Sequence, residues 1–83
     1  MENPSLDAFC EQLYGDNYHY IHDLAQSRLI NKDFVDDVIK LTFRRAFRQL
    51  SELEKDPKPR RWLYRTALNI IDRCNDEGGI PDA

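Results

Sequence analysis

RRWLYRTALNIIDR, residues 60–73, is the stretch on which the fold turns. At about 100° per residue, Leu63, Ala67, Ile70 and Ile71 gather on one side, with Cys74 just beyond the stretch. Arg61, Arg65, Asn69 and Arg73 follow one another at i+4 on the opposite side, with Asp72 beside them. Trp62 projects to the edge of the polar stripe. The segment is therefore an amphipathic helix whose apolar side must pack on other helices. Two readings of its polar side stay open. It is a solvated face whose Trp covers the core edge, or it is a nucleic-acid surface. In the second, guanidiniums meet phosphates, Asn69 meets a base edge and the aromatics meet unstacked bases. Arg61 and Arg65 repel each other at i+4, a mild cost that a purely stabilising helix would avoid.

Working backwards, SELEKDPKPR (51–60) holds two prolines within three residues, which forbids helix continuation and predicts a loop. Pro59 suits the first turn of the helix it precedes, and Lys55, Lys58 and Arg60 make the approach basic. The spacing predicts a long helix before this loop, capped by Asn31 or Asp33 and running to about Leu50 or Leu53. Its apolar stripe is Val35, Ile39, Phe43, Ala46 and Leu50. Asp33, Asp37, Lys40, Arg44, Arg48 and Ser51 form its exposed stripe. Phe34 and Leu41 make a second apolar stripe, to be covered by another helix or by a partner.

Two shorter helices are predicted further upstream. Ser5 caps the first, with Leu6, Phe9, Cys10, Leu13 and Tyr14 on one face. Gly15-Asp16-Asn17 interrupts it. The second runs from about Asn17 to Leu29 and buries Tyr18, Ile21, Leu24, Ala25 and Leu29. After about Cys74, NDEGGIPDA has glycines, a proline and no periodicity, and reads as a fraying end or a linker. The expected fold is all-α, a compact bundle of four helices: two short, one long, a loop, and a fourth helix facing a ligand. Residues 1–75 form the domain and 76–83 a tail.

Composition agrees. In 83 residues, 41% hydrophobic and 33% charged side chains suit one small charge-rich helical domain. The net charge of −3 conceals a split, because residues 44–73 carry nine basic and four acidic groups while the flanks are acidic. A polyanion-seeking surface beside an acidic one is the implication. No apolar run approaches a membrane span, and the acidic MENPSLDAF start does not resemble a signal peptide, so a cytoplasmic location is expected. Cys10 and Cys74 lie far apart on apolar faces and read as reduced core thiols. His19 and His22 lack a third ligand at a metal-like spacing, so no metal or other cofactor is expected. No nucleophile motif, paired carboxylates or phosphate loop is present, and neither enzymatic activity nor a small-molecule substrate is expected.

Taken together, three motifs resemble region 2 of bacterial RNA polymerase sigma factors of the sigma-70 family, in the extracytoplasmic-function group. Trp62-Leu63-Tyr64-Arg65-Thr66-Ala67-Leu68-Asn69 is close to the family's W-L-Y-R-I-A-R-N. Asp36-Asp37-Val38-Ile39, with Thr42-Phe43 and Arg45-Ala46-Phe47-Arg48, is similar to E-D-L-V-Q-E-T-F-L-R-A-W-R. Leu13-Tyr14 matches the opening of L-Y-x-x-Y. The resemblance covers roughly residues 6–75.

It implies promoter recognition and melting without catalysis. The long helix would bind the clamp helices of the largest subunit of core RNA polymerase, with Asp36, Asp37, Lys40, Leu41, Arg45 and Arg48 in or near the contact. The last helix and the loop before it would hold the non-template strand of the −10 element. Lys58, Arg60, Arg61, Trp62, Tyr64, Arg65, Asn69 and Arg73 would lie near that DNA. An anti-sigma factor is a further partner the resemblance allows. Lys40-Leu41 replaces the family's Gln-Glu pair, a change toward positive and apolar, and Leu68 replaces its Arg. Region 4, which reads the −35 element, is absent from this sequence, implying an excised domain or a region-2-only subunit. A sigma-like mimic that docks a protein instead of DNA is the alternative, favoured by Lys40-Leu41 and the overall acidity.

Overall fold

In the computed structural model, which describes residues 4–81, four α-helices and one 3-10 turn follow in order. They are α1 (Pro4–Arg28), the turn Lys32–Phe34, α2 (Val35–Arg48), α3 (Leu50–Lys55) and α4 (Pro59–Glu77). Helices α1, α2 and α4 pack pairwise, and the short α3 closes one end. The apolar stripe of α4 is buried in full: Leu63, Ala67, Ile70, Ile71 and Cys74 all lie in the core. From α1 come Leu13, Ile21 and Ala25, with Leu29 just after it, and from α2 Val35, Val38, Ile39, Leu41, Phe43 and Ala46.

The all-helical class and the count of four helices are as expected, but the divisions differ. Gly15-Asp16-Asn17 does not interrupt the chain, and α1 is a single helix. Gly15 keeps a negative φ, and a helical glycine costs only about 1 kcal/mol relative to alanine. Burial of Leu13 and Ile21 on either side contributes about 1.5–3 kcal/mol each and outweighs that cost. Asn17, a turn-former by propensity, is instead drawn into the helix. Its Nδ2 donates to the Leu13 carbonyl at 2.8 Å, and its Oδ1 accepts from Arg60 Nε at 2.8 Å. Ser5 lies inside α1 rather than before it, and the side chains of Ser5 and Leu6 fall outside the described residues.

The predicted long helix is broken at Gln49, whose φ of −116° and ψ of 28° leave the helical region. Its N–H bonds back to the Ala46 carbonyl at 2.9 Å, the tighter i−3 pattern. The break turns Leu53 into the core at 1% exposure, while Leu50 is only half-buried. Most of the predicted loop is therefore helical, and only Asp56, Pro57 and Lys58 separate α3 from α4. Leu41 is buried and Phe34 packs against the same core, so the second apolar stripe of α2 is covered by the chain itself. Tyr14, expected inside, is 43% exposed.

Helix α4 also runs past Cys74 to Glu77 and stops at Gly78, whose φ is 74°. Its N–H donates to the Cys74 carbonyl at 2.9 Å. This left-handed cap turns the chain so that Ile80 packs on the core, and Pro81 is buried. A Cβ at Gly78 would meet nothing within 4 Å, so replacement by alanine strains only the backbone. Gly78→Ala is expected to destabilise by about 1–2 kcal/mol, and thermal unfolding measures it. At the same end, Asn75 accepts from Ile30 N–H at 2.9 Å and donates to the Arg28 carbonyl at 3.1 Å, joining the α1 terminus to α4. Lys32 Nζ caps the Leu29 carbonyl at 2.6 Å.

Burial pushes the Cys74 thiol above its ordinary pKa, and the nearby Asp37 and Glu77 carboxylates add to the effect. The thiolate is the reactive form. Iodoacetamide is accordingly expected to leave Cys74 unmodified in the folded protein and to label it in urea, as read by mass spectrometry.

Candidate nucleic-acid and polymerase surfaces

Helix α4 begins with no side-chain cap and no acidic residue in its first turn. Arg60 and Arg61 sit there instead, against the positive end of the helix dipole, where basic residues are unfavourable by about 0.3–1 kcal/mol each. A sequence selected for helix stability alone would place Asp or Glu at these positions. The arrangement places two guanidiniums at one helix end, where they favour an anion. Asp56 shapes the approach by accepting from Lys58 N–H at 2.8 Å.

Of the predicted DNA-facing residues, Arg65 and Asn69 share a face of α4. Lys58, Arg60, Arg61, Arg65, Asn69 and Arg73 are exposed, while Trp62 and Tyr64 are half-buried. Trp62 packs against the core with part of its ring left at the surface. Arg65, Leu68, Asn69 and Asp72 line a shallow groove of about 400 Å³ along this face. The arginines are not equivalent. Arg73 donates from Nε to Glu77 at 3.2 Å and is partly neutralised. Arg61 and Arg65 have no carboxylate within ion-pair distance among the described residues. Arg60 is turned toward α1, where it meets Asn17 and Asp16.

On α2, Asp36, Asp37, Lys40 and Arg48 are exposed and Arg45 is half-buried. Leu41 is 5% exposed and belongs to the core cluster, so it holds α2 to the bundle. Sequence reasoning missed a groove of about 490 Å³ lined by Tyr14, Phe43 and Phe47, with Lys40, Arg44 and Arg48 along its rim. The Tyr14 and Phe43 rings lie 4.8 Å apart, and those of Phe43 and Phe47 6.2 Å. The i+4 series Lys40, Arg44, Arg48 was visible in the sequence. Its aromatic floor was not, because Tyr14 comes from another helix.

A family model, described as sigma-70 region 2, matches residues 13–78. The chain belongs to the sigma-70 region 2 family. This sigma region 2 domain is similar to the RNA polymerase sigma factor HrpL of Pseudomonas syringae pv. syringae, with 35% identity over 68 residues. The match takes in 82% of this chain and 37% of that factor, so the chain spans little more than a third of the relative's length. No solved structure gives a significant match. The family is one of transcription initiation factors rather than enzymes. Among the described residues of the domain, no helix is long and apolar enough to cross a membrane, and no cluster of His, Cys, Asp or Glu is placed to hold a metal ion.

Proposed function

We propose that this sigma region 2 domain docks on core RNA polymerase through α2 and holds the non-template strand of the promoter −10 element with α4. The observation that carries the DNA reading is the basic start of α4, with Arg60 and Arg61 opposing the helix dipole and Arg65 continuing the face of Arg61. Such a helix is locally unfavourable unless an anion meets it. Opening the duplex needs no catalytic group. Stacking and phosphate contacts to the freed strand offset the stacking lost from the duplex. A cytoplasmic location accompanies this role, and an anti-sigma factor is a further partner that it allows.

Fluorescence anisotropy with single-stranded oligonucleotides covering −10-like sequences, with and without core polymerase, tests it. Sequence-dependent binding that strengthens with core polymerase is expected. A second reading, a sigma-like mimic acting through protein contacts, is favoured by the basic-rimmed aromatic groove on α2. Binding to neither DNA nor polymerase would select that reading.

A further inference from the structure

Arg60 is held more tightly than a side chain that only attracts phosphate requires. Its Nε donates to Asn17 Oδ1 at 2.8 Å, and its Nη2 donates to the Asp16 carbonyl at 3.0 Å. Its Cζ lies 4.8 Å from the centre of the Tyr20 ring, and Tyr20 lies 6.2 Å from Tyr64 of α4. Asn17 is 5% exposed and its Nδ2 is bound to the Leu13 carbonyl, so the acceptor that fixes Arg60 cannot rotate away. Two bonds along one edge define the plane of the guanidinium, and its carbon sits over the Tyr20 ring. The residue nevertheless remains exposed. Asp16 and Asn17, which hold Arg60, also line a cavity of about 210 Å³ with Phe9, Leu13 and Pro59.

We propose that Arg60, held flat by Asn17, Asp16 and Tyr20, is a stacking platform for one unpaired nucleobase of single-stranded DNA. Asn17 and Tyr20 are its positioning residues. The proposal rests on the reading of α4 as a single-strand surface, and extends that surface onto α1. Bases stack on guanidinium planes as they do on aromatic rings, and a plane already fixed loses little freedom on binding. A mobile lysine would supply the same charge without the face. A latch between α1 and α4 that served only stability would need neither the exposed face nor an arginine opposing the helix dipole.

The test uses the 83-residue protein and a fluorescent single-stranded oligonucleotide, scanned with one abasic position at a time. In the parent protein, one position should show about a tenfold loss on removal of its base. Arg60→Lys and Tyr20→Leu should weaken binding by a similar factor and abolish the penalty at that position. Tyr20→Phe, which keeps the ring, should match the parent. Circular dichroism checks that each variant is folded. If the parent binds and the abasic profile survives in Arg60→Lys and Tyr20→Leu, the platform is wrong while the DNA surface stands. If the folded parent binds no single-stranded DNA, both fall together.

Discussion

Reversing Arg61 and Arg65 to glutamate together is expected to lower affinity for single-stranded −10 DNA by on the order of a hundredfold at low salt. Both side chains are exposed, neither has a carboxylate partner among the described residues, and both lie on the face of α4 away from its buried stripe. Each phosphate contact to a single strand releases roughly 0.7 of a counterion, so losing two should also flatten the log–log salt dependence by about 1.4. The fold should survive. Arg61 lies in the first turn, where a glutamate meets the helix dipole favourably by about 0.3–1 kcal/mol. The melting temperature should therefore hold steady or rise while binding collapses. Arg73, already shared with Glu77, should matter less when reversed alone. Anisotropy titrations at several salt concentrations give affinity and slope together, and unchanged values for both would remove α4 from the DNA surface.

The largest stability effect is expected at Phe43. It is 2% exposed and among the largest fully buried side chains of the domain, with the Tyr14 ring 4.8 Å away on α1. Truncating a buried phenylalanine to alanine costs about 3–5 kcal/mol, because the transfer energy is lost and a cavity remains. A domain of this size has a total stability of roughly 4–12 kcal/mol, so the loss consumes a large part of it. Phe43→Ala should lower the melting temperature by roughly 15–30 °C, or leave the chain unfolded. Phe47→Ala is the control, since Phe47 is 40% exposed on the same groove and its removal leaves no buried void. If the two substitutions cost the same in a urea titration, the groove floor is not the core wall described here.

The sequence by itself determined the helical class, the buried stripe of α4 and the opposing run of Arg61, Arg65 and Asn69. Each follows from a spacing repeated within one segment, and a single helix's periodicity needs no knowledge of its neighbours. The family resemblance was likewise legible in contiguous motifs, and the match over residues 13–78 agrees with it. What sequence could not settle were choices that depend on contacts between segments. Gly15-Asp16-Asn17 reads locally as a break, yet burial of Leu13 and Ile21 carries α1 through it, and Asn17 is occupied by Arg60 at 2.8 Å, 43 positions away. The turn at Gln49 is visible only once Leu53 is seen to need the core. Leu41 lies within the polymerase-facing motif, and its place in the core shows only in the packing. Only the tertiary structure decided these, because propensities differ by fractions of a kcal/mol per residue whereas burying one large side chain contributes several times more.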